Sequence, residues 1–178
     1  MSVSSRFRSL CRGDTRSSVT DVLVAIVVGL GATLFMDGWA LLLRRAFNIA
    51  SLNLCLLGRW LLHMPDGVFR HDSISAASPK PRECTVGWIA HYTIGATLAV
   101  ALVVLAPTWL ERPTLLPPLL WGILTVAIPF FVMQPSLGLG IASSKTPHPA
   151  RARLRSLTTH TVYGIGLYLS ALAVDAWR

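Results

Sequence analysis

Four long apolar runs constrain this chain more than any other feature. They are Val22–Leu43, Val86–Leu110, Leu115–Gln134 and Leu157–Trp177. Each reaches the roughly 20 residues that an α-helix needs to cross a hydrocarbon core. Water is absent there, so the backbone must satisfy its own N–H and C=O groups, which a helix does. The runs predict an all-α fold: a four-helix transmembrane bundle over residues 22–177, behind a polar, basic tail of residues 1–21. Only 13% of the residues are charged, about half the share usual in a soluble domain. The first run is too long for a cleaved signal peptide, and no small-x-small cleavage pattern follows it.

The connections differ in kind. The tail is rich in Ser and Arg, lacks periodicity and is expected to be at least partly irregular. Residues 51–64, SLNLCLLGRWLLHM, are apolar and aromatic but too short to span. They predict a helix lying in the membrane interface, within the first long loop. From Pro65 to Glu83 the chain turns polar, with breakers at PDG and PKP. Residues 111–114 form a tight hairpin, and 135–156 mix Gly, Pro and basic residues. Pro129 predicts a kink in the third span. Trp109, Trp177 and Arg178 suit the membrane interface.

Topology makes the polar residues of the spans informative. With four spans in series, the end of the first and the start of the second lie on one side, with the end of the third and the start of the fourth. Asp37, His91, Gln134 and His160 sit at those ends. Side chains four apart share a helix face, so Ala25, Gly29, Thr33 and Asp37 form one row. Gly87, His91, Gly95 and Ala99 form another, and His160 with Gly164 begins a third. Small residues permit close helix approach, so these rows predict the bundle interior. Asp37 then faces inward with one or both histidines as partners. Charge at such depth is costly unless paired, and marks a candidate site.

Asp37, His91 and His160 form the candidate metal or proton site, with Gln134, Tyr92 and Tyr163 as supporting polar residues. Asp and His are suitable ligands and proton carriers. Met36 and Met133 would add soft ligands, but a Met in a span more often serves packing. A bis-histidine haem on His91 and His160 is a further option, because each precedes a glycine by four residues. The plainest alternative is that an Asp bonded to His and Tyr only pins helices together. Tyr168 belongs with the packing tyrosines. His63, Asp66, His71 and Asp72 are expected to be solvated in the long loop, and Arg59 beside Trp60 to anchor at the interface or meet a lipid phosphate. Cys11, Cys55 and Cys84 give neither a disulfide framework nor a zinc pattern, and Cys84 reads as an inert thiol. No nucleophile elbow, zinc-protease helix or phosphate loop occurs. The Gly138/Gly140 and Gly164/Gly166 pairs lack the context of a dinucleotide site.

Several of these segments occur in combination: Met36-Asp37, Gly58-Arg59-Trp60, Gly87-Trp88 with His91-Tyr92, Met133-Gln134-Pro135, and Thr159-His160 followed by Gly164-Ile-Gly166-Leu-Tyr168. The set resembles a bacterial family of small integral membrane proteins, domain of unknown function 2938, over about residues 22–177. The resemblance implies a bacterial inner-membrane protein of about four helices. It brings no activity, substrate or cofactor with it.

Charge sets an expectation for orientation. Residues 44–85 carry six Lys/Arg and 135–156 carry four, ten in all, against six on the other side: Arg6, Arg8, Arg12, Arg16, Arg112 and Arg178. Ten against six favours both long loops in the cytoplasm. The net charge of +8 fits loops flanking spans rather than nucleic-acid binding, for which no motif is present. Three function classes follow. One is a small ion-, proton- or metal-handling transport protein, which at four spans is expected to be a homo-oligomer. Another is a non-catalytic protein that assembles with a membrane partner through its small-residue faces. The third is a haem-holding oxidoreductase subunit. An enzyme is the less favoured class.

Overall fold

The structure is a computed structural model that describes residues 3–49 and 51–177, with side chains from residue 19 onward. The described residues contain helices and turns and no strand. Helix α1 runs Val3–Phe47, α2 Leu54–His63, α3 Glu83–Leu105, α4 Leu116–Thr125, α5 Gln134–Ser136 and α6 Pro149–Asp175. Four segments are long and apolar enough to cross a membrane: Val19–Phe47, Glu83–Leu105, Leu116–Ser136 and Pro149–Asp175. They correspond to the four apolar runs. Bulky apolar side chains such as Leu34, Ile89, Leu124 and Phe131 point outward. A soluble monomer does not leave such surface uncovered, whereas lipid covers it.

Boundaries differ from expectation for local reasons. The backbone of the tail is helical from Val3 and continuous with α1. Extending an existing helix adds one hydrogen bond per residue without a new nucleation cost. Helix α3 stops at Leu105 rather than Leu110, because Pro107 disfavours helical geometry at Ala106, where φ is −134° and ψ is 71°. Trp109, expected at the interface, is instead buried in the core. Its Nε1 donates to the Thr114 carbonyl at 2.9 Å and closes the hairpin. The third span changes from α-helix to a π-turn over Pro129–Met133. Pro129 has no N–H to give, and the wider turn takes up the lost bond.

Helix α1 is the centre of the bundle, packed on α3 and on α6, while α4 packs on α6. Small residues set these approaches. A Cβ added at Gly29 would lie 2.7 Å from the Cα of Ala96, and one at Gly166 3.0 Å from the Cα of Ala32. Gly122 and Gly164 face one another between α4 and α6. Two long hydrogen bonds lace the packing. Tyr163 Oη donates to the Gly95 carbonyl at 2.6 Å and Trp121 Nε1 to the Leu98 carbonyl at 2.9 Å. The core is Ala25, Val28, Ala32, Ala99, Leu102 and Leu167, with Tyr163 and Trp109.

The two long loops meet, as the topology requires. His71 N–H donates to the Ser136 carbonyl at 2.9 Å, and Ile74 N–H to the Leu137 carbonyl at 3.1 Å. Asp37, His91, Gln134 and His160 sit in the helix halves nearest these loops.

Candidate functional site

Asp37 lies nearly three turns before the end of α1, on the side turned to α3. One carboxylate oxygen accepts from His91 Nε2 at 2.9 Å and the other from Tyr92 Oη at 2.9 Å. The neighbouring positions 91 and 92 both reach it because α3 passes close to α1, with Gly95 one turn further on against the Thr33 side chain. Trp88 lies edge-on to His91, with ring centroids 6.0 Å apart, and covers the cluster on one flank. The side chains are partly accessible, 23% for Asp37 and 16% for His91. A carboxylate with two donors is well held at this depth, yet the cluster is not sealed. The second nitrogen of His91 makes no hydrogen bond among the described residues.

His160 does not join this cluster. Its Nδ1 pairs at 2.9 Å with the hydroxyl of Thr125, which itself donates to the Gly122 carbonyl at 2.7 Å. That arrangement makes Nδ1–H the donor and ties α6 to α4. Gln134 is buried, with Nε2 donating to Ser156 Oγ at 3.2 Å and Oε1 unpaired. Tyr163 is spent on Gly95. Among the described residues, no three His, Cys, Asp or Glu side chains stand close enough to hold a metal ion. The ligand set expected from the sequence is thus divided, with Asp37 and His91 together and His160 on another helix contact.

The haem option fails on space. Its argument needed room beside Gly95 and Gly164. A Cβ at Gly95 would strike the Thr33 hydroxyl, and one at Gly164 would lie 2.5 Å from the Pro118 carbonyl oxygen. Protein fills both gaps, and the two histidines are committed elsewhere. Met36 packs against the core rather than at a ligand position.

A second constellation, at the corner of α2 and α3, overturns two expectations. Cys55 and Cys84 form a disulfide across 29 residues, so Cys84 is not an inert thiol. Arg59 is not a free anchor. Its Nε and Nη2 each donate at 2.8 Å to the two oxygens of Glu83, and its Nη1 donates to the Ala77 carbonyl at 3.0 Å. Glycines make the approach possible: a Cβ at Gly58 would strike the Glu83 carbonyl, and one at Gly87 the Leu54 carbonyl. Gly87 therefore serves the contact with α2, not the interior row in which it was expected. The signal was in the sequence, as CLLG and CTVG each set a cysteine three residues before a glycine. Cys11 has its side chain outside the described residues, as does Arg178 entirely.

Asp66 and Asp72 are exposed, as expected of a polar loop, whereas His63 and His71 are partly buried. Lys80 holds Asp66 through a short ion pair and lowers its pKa below the ordinary 3.8. His63 Nε2 lies 3.1 Å from the Ser78 carbonyl, with its ring 5.1 Å from that of His71. Burial, then the neighbouring His63, lowers the pKa of His71, and its Nε2 is buried without a partner.

No curated protein and no solved structure matches this chain. The family model described as "Protein of unknown function (DUF2938)" matches residues 26–174. That match reaches into all four spans and takes in both constellations, and the chain belongs to this family.

Proposed function

We propose that this membrane protein handles protons or small cations, with Asp37 and His91 as the exchanging pair and Tyr92 as the group that positions the carboxylate. The observation that carries the reading is the acid–base contact itself: carboxylate and imidazole 2.9 Å apart, inside spanning helices and partly accessible. Ionisable groups at that depth are costly, and pairs of them serve proton and ion pathways. Four spans are few for a carrier, so the working unit is a homo-oligomer. The resemblance to a bacterial family supports an inner-membrane location.

The disulfide supports an orientation opposite to that favoured by the basic-residue count. Disulfides persist in oxidising compartments and are rare in the cytoplasm. Cys55 lies in the first long loop and Cys84 at its end, so both long loops belong on the non-cytoplasmic side, with both termini in the cytoplasm. The four tail arginines then follow the positive-inside rule. A fluorescent protein fused at the C-terminus should be bright, and alkaline phosphatase there silent. An active phosphatase would overturn the orientation.

Reconstitution in liposomes with an internal pH dye tests the function. The parent should carry protons or exchange a cation for them, and Asp37→Asn should abolish the flux while leaving folded protein at its normal level. A second reading, a static clasp between α1 and α3, draws on both carboxylate oxygens being occupied. It predicts no flux from the parent, and that result would remove the transport reading.

A further inference from the structure

A pocket of about 450 Å³ opens between the two long loops, on the side where Asp37 and His91 lie. Its wall includes Arg70, His71 and Asp72 from the first loop and Gly140, Ser144 and Lys145 from the second. Backbone hydrogen bonds fix the frame. Beyond the two bonds that join the loops, Leu139 N–H donates to the Gln134 carbonyl and Lys145 N–H to the Leu139 carbonyl, both at 2.9 Å. Two glycines with positive φ complete it. Gly138, at φ 87°, has a Cβ position that the Asp72 carbonyl oxygen already occupies. A Cβ at Gly140, at φ 74°, would strike Ser144 Oγ and lie 2.9 Å from Lys145 Cγ.

The side chains in this frame are less settled than the backbone. Arg59 and Lys80, in the first loop, are paired with Glu83 and Asp66. Among the described residues, Arg70 and Lys145 make no ion pair, and the buried Nε2 of His71 has no hydrogen-bond partner. Two cations without an ion pair among the described residues therefore stand against the single carboxylate of Asp72, beside the Ser144 hydroxyl. Arginine, lysine and hydroxyl donors suit a phosphate, whose oxygens accept several charge-assisted bonds at once.

We propose that this pocket binds a phosphate-bearing anion through Arg70, Lys145 and Ser144. Such a phosphate belongs to an anionic lipid headgroup or to a soluble phosphate compound, and the same donors serve either. The site is separate from the Asp37–His91 pair and does not depend on transport.

The test uses the full chain, purified in detergent and stripped of lipid. Binding is measured by native mass spectrometry and calorimetry for three probes: dihexanoyl phosphatidic acid, inorganic phosphate and dihexanoyl phosphatidylcholine. The first or the second should bind at one equivalent per chain, with the zwitterionic lipid bound more weakly. Tighter binding of phosphatidic acid identifies a lipid headgroup as the source, and equal or tighter binding of inorganic phosphate identifies a soluble anion. Arg70→Gln with Lys145→Gln should weaken that binding by about tenfold or more, as expected for loss of two charge-assisted contacts. Lys145→Glu alone, at an exposed position, should weaken it as well and guards against misfolding of the double variant. Failure of both anionic probes to bind, or binding unchanged in the charge variants, overturns the site.

Discussion

Helix α3 is joined to two neighbours by acid–base contacts of opposite design. At its start it meets α2 through a disulfide, a two-pronged Arg59–Glu83 pair and glycines that bring backbone against backbone. Two turns further on it meets α1 through one carboxylate that accepts from His91 and Tyr92. At the corner the disulfide and the ion pair back one another up, so losing either should leave the geometry in place. At the second junction the polar contact rests on one carboxylate that is the acceptor for both donors. Redundancy suits a fixed corner. One shared acceptor leaves the second junction without such a reserve.

Several changes break or sharpen that contrast. Gly87→Leu should have the largest effect, because its side chain must occupy the place of the Leu54 carbonyl. Backbone cannot step aside cheaply, and the cost should reach about 3–5 kcal/mol, in the upper range for single substitutions. The readout is loss of folded protein by size-exclusion chromatography in detergent. Next, Cys55→Ser should cost about 2–4 kcal/mol, the usual range for a disulfide closing a loop of this size. The variant should keep its shape, since Arg59–Glu83 and the glycine crossing remain. A lowered unfolding temperature with unchanged circular dichroism would show that, and a collapsed spectrum would show the corner to be less redundant than drawn.

Asp37→Leu comes third. It leaves His91 and Tyr92 without an acceptor, at a cost of about 1–3 kcal/mol. Asp37→Asn should be milder in thermal unfolding, because an amide oxygen still accepts one bond. The pair therefore separates stability from function: a working site loses flux in both variants, while a clasp loses stability only in the first. The smallest effect belongs to Lys80→Ala. Asp66 is exposed, so the change in unfolding temperature at neutral pH should be near the limit of measurement. Its sign is fixed by the lowered pKa of Asp66. The contribution is present above the ordinary value of 3.8 and fades as pH falls through the lower folded value. Parent and variant should therefore converge in strong acid.

Legibility varied with the range of the interaction. The Asp37–His91 contact was readable because helix periodicity and alternating spans confine both residues to one face and one membrane half. The same reasoning placed His160 in that half but could not say which neighbour it would meet. That depends on α6 lying between α1 and α4, which brings Thr125 within 2.9 Å of its ring. The Cys55–Cys84 bond was hidden for a related reason. The matching CLLG and CTVG segments do not say which helices cross, and the bond exists because two glycines allow α2 to cross α3 at contact distance.

Apolar runs of sufficient length determined by themselves that this chain forms four spanning helices, since a bilayer core leaves the backbone no other solution. Prolines 107 and 129 likewise set a helix end and a wide turn through their missing N–H groups and the limits they place on neighbours. Which polar groups meet was decided only in three dimensions. The pairings of Asp37 with His91 and Tyr92, of His160 with Thr125 and of Arg59 with Glu83 depend on which helices lie side by side. In a membrane the apolar surfaces do not choose neighbours by hydrophobicity, because lipid is as apolar as the helices. Steric fit at small residues and the cost of an unsatisfied polar group make that choice instead, and both are properties of the assembled bundle.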